Sequence, residues 1–163
     1  MRTLMLLRHG KSSHKDSRLA DFDRPLTKRG RRDASRIGAL LVDEDMLPDL
    51  IVSSTACRAR ETTERLVAAA GFDGPVHLTD DLYMASSRQI VKVIAAQPAA
   101  RMAMMIVGHN PGLEELMTSL TNCEDPLPTA SLTGIVLPIK RWRDLKSSTA
   151  GKLVQIWRPK ELD

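Results

Sequence analysis

Apolar runs that alternate with helical patterns are the feature that most constrains this chain. Thr3 to Leu7 (TLMLL), Leu50 to Ser53 and Met102 to Val107 (MAMMIV) read as buried strands. Between and after them lie helical patterns. Thr27 looks like an N-cap for a helix to about Asp45, with Ile37, Leu40 and Leu41 at helical spacing. Ala56 to Ala70 forms a second pattern, stopped by Gly71, and Ser86 to Ala96 a third, stopped by Pro98. A fourth opens at Asn110 or Pro111 and runs to about Leu120. Val76 to Leu78, Gly134 to Ile139 and Leu153 to Trp157 read as further short strands, and Asp21 to Leu26 and Asn122 to Pro128 as loops. Strand-helix alternation of this kind argues for α/β with a largely parallel sheet. The 163 residues fit one compact domain spanning 1–163.

In such sheets, ligands bind beyond the carboxyl ends of the strands. After the first strand comes Arg8-His9-Gly10, after the second Ser53 to Ala59 with Arg58, and after the MAMMIV strand Gly108-His109-Asn110. Strand ends thus supply two arginines and two histidines at one rim. Phosphoryl transfer needs positioned cationic donors, and the arginine fork pairs with phosphate oxygens. A cation ~4 Å from a protonated imidazole, at an effective dielectric of ~20, costs about 4 kcal/mol. Two arginines would therefore keep His9 neutral, with a lone pair for attack on phosphorus. His109 could be cationic once phosphate is bound, or pass a proton. Taken singly, each residue has a plainer reading. Arg8 could snorkel to solvent, His9 could be structural, Arg58 could sit on a solvated helix face, and His109 could help cap a helix.

Composition narrows the alternatives. The net charge of +4 favours anionic partners, though a mildly basic solvated surface explains the number itself. Aromatics at 3% are too few for nucleic-acid stacking platforms, and Lys and Arg are scattered, so nucleic acid is not an expected partner. Cys57 and Cys123 form neither a C-x-x-C pair nor a zinc spacing, and read as buried reduced thiols of a cytoplasmic protein. No run approaches 18 apolar residues, so no membrane partner is expected. A cysteine phosphatase needs Arg six positions after Cys, where Thr63 and Thr129 stand instead. Asp21-Phe22-Asp23 and Asp43-Glu44-Asp45 are misplaced for an aspartate nucleophile, and a P-loop motif is absent.

LLRHGKSS, SSTACRARETT and VGHNPG, in this order, resemble the histidine phosphatase superfamily, the fold class of cofactor-dependent phosphoglycerate mutases and acid phosphatases. DFDRPLTKRG, LYMAS, VGHNPGLEEL and WRPKEL are most similar to its small bacterial phosphohistidine phosphatases of the SixA type. The resemblance implies a three-layer α/β/α, phosphoglycerate mutase-like architecture with a mainly parallel central sheet. It implies His9 as the phosphorylated nucleophile and Arg8, Arg58 and His109 as phosphoryl ligands, with no metal or organic cofactor. The implied substrate is a phosphorylated protein or a small phosphorylated molecule. Arg24 could guide substrate, and Lys11, Ser12 and Ser13 could line the rim, although a solvated loop explains them equally well.

One departure carries chemical weight. Mutase-type members place a glutamate acid in the middle of the chain, where this one reads Thr79-Asp80-Asp81-Leu82-Tyr83-Met84-Ala85-Ser86. Asp80 or Asp81 could substitute, but a surface turn is the simpler reading. An alkoxide leaving group needs an acid, whereas the imidazole of phosphohistidine leaves through nitrogen and can take its proton from solvent. The expectation is a phosphatase for phosphohistidine in proteins. A general phosphomonoesterase or mutase on the same fold, and a non-catalytic phosphate-binding module, are the competing readings. Oligomeric state is not legible.

Overall fold

The computed structural model describes residues 1–162. Six strands form one sheet in the order β3-β2-β4-β1-β5-β6. They are β1 (Arg2–Arg8), β2 (Leu50–Ser54), β3 (Val76–Thr79), β4 (Ala103–Gly108), β5 (Leu132–Leu137) and β6 (Lys152–Trp157). The pairs β3/β2, β2/β4 and β4/β1 are parallel, while β1/β5 and β5/β6 are antiparallel. The helices are α1 (Lys28–Asp43), α2 (Cys57–Ala70), α3 (Ser87–Ala95) and α4 (Gly112–Thr121).

Alternation along the central strands builds a core on each face. Leu4, Leu6, Met104 and Ile106 pack with Ile90 and Ile94 of α3 and Leu113, Leu116 and Met117 of α4. Met5, Leu7, Met105 and Val107 pack with Ile37 and Leu41 of α1 and Ala59 and Leu66 of α2. Both faces of β1, β2 and β4 are thus covered, which is why these strands read as unbroken apolar runs.

Local signals act as expected at the helix ends. The Thr27 hydroxyl accepts the Gly30 amide at 3.0 Å and starts α1. Gly71 closes α2 with φ 62°, a conformation that costs other L-residues strain. Several boundaries differ from expectation by one or two residues: α1 ends at Asp43, β4 runs from Ala103 to Gly108 and α4 starts at Gly112. The fifth strand runs from Leu132 to Leu137, because Pro138 has no N–H to continue the ladder. The segment expected as plain loop contains a 3-10 turn at Asp21–Asp23. Cys57 and Cys123 are unpaired and half-buried, not buried. No helix among the described residues is long and apolar enough to cross a membrane.

Candidate active site

Strand register brings the two histidines together. Arg8, the last residue of β1, pairs with Gly108, the last of β4. His9 and His109 follow as neighbours, with ring centroids 5.1 Å apart. The His9 amide donates to the Gly108 carbonyl at 3.1 Å and extends the ladder into the site. Arg58 enters from the first turn of α2, just beyond β2. His9, Arg58 and His109 are 7%, 3% and 2% exposed, so Arg58 is not on a solvated face. Arg8 is half-buried, and its Nη1 donates to the Leu127 carbonyl at 3.0 Å.

Hydrogen bonding assigns the His9 tautomer. Its Nδ1 lies 2.7 Å from the Gly10 carbonyl oxygen, which can only accept, so Nδ1 carries the proton. Nε2 is left with its lone pair and accepts from Arg58 Nε at 3.3 Å. Burial, more than the arginines, pushes the His9 pKa down to about 3, with His109, Arg58 and Arg8 adding to the effect against the Gly10 hydrogen bond. The sequence expectation that cations keep this ring neutral therefore has the right direction but the lesser cause. His109 is lowered to about 4, again by burial first, then by Arg58 and Arg8, with Asp21 opposing. Its Nε2 lies 2.8 Å from Ser54 Oγ, while Nδ1 is buried without a partner among the described residues.

Backbone packing fixes the His9 segment. The Gly10 amide donates to Thr62 Oγ1 at 2.9 Å, and that hydroxyl donates to the Arg58 carbonyl at 2.7 Å. A Cβ on Gly10 would lie 2.8 Å from the Gly30 carbonyl oxygen, and one on Gly30 only 2.2 Å from the Lys11 carbonyl oxygen. Helix α1 thus rests directly on the main chain of the His9 segment. On the other side, the Leu127 carbonyl also accepts from Asn110 Nδ2 at 3.0 Å, and the Leu127 amide donates to Glu114 at 2.7 Å. The loop before β5 is thereby tied to both α4 and Arg8.

These groups open into a cleft of about 410 Å³ lined by Arg8, His9, Arg58 and His109, and by Lys11, Ser12 and Arg24. Ser13 does not line it. Arg24 is committed to neighbours: Nη1 donates to Ser12 Oγ at 2.7 Å and to His14 at 3.1 Å. Asp80 and Asp81 lie outside the cleft, and Asp80 instead accepts from the Thr55 hydroxyl. The carboxylate that does line it is Asp21, from the loop of the DFDRPLTKRG segment and not among the site residues expected from sequence.

Asp21 is the hub of the cleft wall. Its carbonyl accepts Arg58 Nη1 at 2.8 Å and its Oδ2 accepts Arg58 Nη2 at 3.1 Å. The same Oδ2 accepts the Tyr83 hydroxyl at 2.5 Å, and Oδ1 accepts Arg24 Nε and Nη2, each at 3.1 Å. Tyr83, then Arg58 and Arg24, hold this carboxyl well below the usual carboxylate range. It is ionised at neutral pH and has no proton to give. Tyr83 also meets the His109 ring edge-on at 5.5 Å. Asp21 and Tyr83 fall in the motifs DFDRPLTKRG and LYMAS, but nothing in either motif says that the two side chains meet. The cleft's charge suits an anion, and among the described residues no cluster of His, Cys, Asp or Glu fits a metal ion.

Comparison with known proteins bears on this site. Residues 4–83 match the family model described as histidine phosphatase superfamily (branch 1). An uncharacterized chloroplastic protein of Arabidopsis thaliana is 34% identical over 139 residues, 80% of this chain and 64% of that protein. The chain thus spans just under two thirds of the plant protein. An uncharacterized protein of Mycobacterium tuberculosis is 34% identical over 116 residues, 71% of this chain and 70% of that protein. Among solved structures, a candidate phosphohistidine phosphatase SixA from Agrobacterium tumefaciens superposes with a TM-score of 0.83. It is 29% identical, and the match covers 97% of this chain and 98% of that one.

Proposed function

Since the chain belongs to the histidine phosphatase superfamily, we propose that it is a phosphatase that hydrolyses phosphohistidine in proteins through a covalent intermediate on His9. Its sheet between two helical layers is the phosphoglycerate mutase-like fold of that superfamily. The observation that carries the reading is the His9 tautomer. Nδ1–H is held by the Gly10 carbonyl, which leaves Nε2 unprotonated, its lone pair turned to the long 3.3 Å hydrogen bond from Arg58 Nε.

In the first step, His9 Nε2 forms a bond to phosphorus as the bond to the leaving nitrogen breaks. Arg8, Arg58 and His109 hold the three non-bridging oxygens as charge moves across them. The departing imidazole takes its proton from solvent. In the second step, water attacks the phosphoryl group on His9, and inorganic phosphate and neutral His9 are released. Asp21 is the one carboxylate among the cleft-lining residues, and it is ionised. An alkoxide would leave without a donor here, whereas a phosphoramidate has no such need. This supports phosphohistidine over a sugar phosphate.

The test is incubation with a phosphohistidine protein, then analysis of the chain for acid-labile, base-stable phosphate. Label and turnover are expected in the parent protein and neither in His9→Ala. Retained turnover in that variant would sink the covalent mechanism. Equal or faster hydrolysis of an alkyl phosphate ester would favour a general phosphomonoesterase. Phosphate binding without turnover would favour a non-catalytic module.

A further inference from the structure

Arg58 presents three nitrogens, and only one of them faces His9. Nε donates to His9 Nε2, whereas Nη1 and Nη2 are both turned to Asp21. A guanidinium on a flexible stem can rotate, and pinning both terminal nitrogens removes that freedom. Asp21 is itself held from two sides, by Arg24 on Oδ1 and by Tyr83 on Oδ2. Arg24 in turn is bonded to Ser12, in the segment that follows His9. The carboxylate therefore joins the His9 segment, α2 and the Tyr83 turn at one point. We infer that Asp21 is a positioning residue: it anchors the far side of the Arg58 guanidinium so that Nε stays aimed at the phosphoryl group on His9.

The role has an electrostatic cost that makes it testable. A carboxylate beside Arg58 weakens the attraction of the cleft for a phosphate dianion. Asp21 lowers resting affinity for phosphate and in exchange fixes the geometry of transfer. A residue that merely holds the loop in place predicts no such opposed pair of effects. The inference rests on His9 being the nucleophile, so one arm of the test is independent of turnover.

The experiment compares the full chain with Asp21→Asn and Asp21→Glu. Calorimetry gives the Kd for inorganic phosphate, and steady-state hydrolysis of phosphoramidate gives kcat and KM. In Asp21→Asn the charge is lost, and phosphate is expected to bind about fivefold or more tightly. Its kcat is expected to fall about tenfold or more, because Nη2 loses its charged acceptor and only the Asp21 main-chain carbonyl still holds the guanidinium at full strength, through Nη1. Asp21→Glu keeps the charge but moves it by one methylene, so phosphate affinity stays within about twofold while kcat falls. Unchanged kcat in Asp21→Glu would overturn the inference, even if Asp21→Asn fails to fold. So would weaker phosphate binding in a folded Asp21→Asn. A rise in both affinity and kcat in that variant would overturn it too, since Asp21 would then only compete with substrate. Absence of turnover in the parent protein would count against the proposed reaction, while the phosphate arm would still overturn the Asp21 inference if Asp21→Asn failed to bind phosphate more tightly.

Discussion

His9 and His109 are two imidazoles kept uncharged by burial, and this has a consequence for pH. Their folded pKa values, about 3 and about 4, lie below the unfolded value of about 6.5. Between those limits the unfolded chain binds more protons than the folded one. The contribution to stability is therefore complete above about pH 6.5, is lost progressively as pH falls below that, and is gone once pH has passed about 4 for His109 and about 3 for His9. Urea midpoints measured from pH 7.5 to 4 should fall, and the fall should be shallower in His109→Gln. An equal slope in the variant would remove His109 from the account. The four residues Arg8, His9, Arg58 and His109 were legible in sequence because each follows an apolar strand. Asp21 and Tyr83 were not, because their meaning lies in long-range bonds: the Tyr83 hydroxyl reaches a carboxylate 62 residues away.

At the level of elements, the contact between α1 and the His9 segment is made by glycine. Alanine usually favours a helix over glycine by about 1 kcal/mol. At Gly30, however, a Cβ would meet the Lys11 carbonyl oxygen at 2.2 Å. Gly30→Ala is expected to destabilise by ~1–3 kcal/mol and to lower kcat more than stability alone explains, because α1 must lift off the nucleophile loop. Gly71→Ala makes the comparison: at φ 62° with nothing within 4 Å, it should cost about 1 kcal/mol and leave kcat unchanged. Chemical denaturation with parallel kinetics checks both. Equal kinetic effects from the two would show that the loop tolerates the displacement. Helix limits were readable from Thr27 and Gly71 because caps are local. The start of β5 was not, since buried Thr133 looks polar in sequence yet directs its hydroxyl to Met117 of α4.

For the molecule as a whole, one sheet serves two cores. Trp142 belongs to the core with α3 and α4, and Trp157 to the core with α1 and α2. Because β1, β2 and β4 contribute to both, the two cores should be lost together. Variants that keep only one tryptophan, Trp142→Phe and Trp157→Phe, should each show a fluorescence midpoint matching their own circular dichroism. Distinct midpoints would mean that one layer melts first. The α/β class and its parallel part were legible from runs such as MAMMIV. Strand order was not, because pairing β1 between β4 and β5 depends on contacts about 100 residues apart, beyond what local pattern encodes. That pairing gives the protein an internal gauge. Arg8 aligns with Gly108, so the two imidazoles meet only if β1 and β4 are in this one alignment. A slip of a single residue would move one ring by ~3.3 Å and turn it to the opposite face. A chain that collapsed with its strands misaligned could still look folded by its helical signal, yet it would be silent in any assay that needs both histidines.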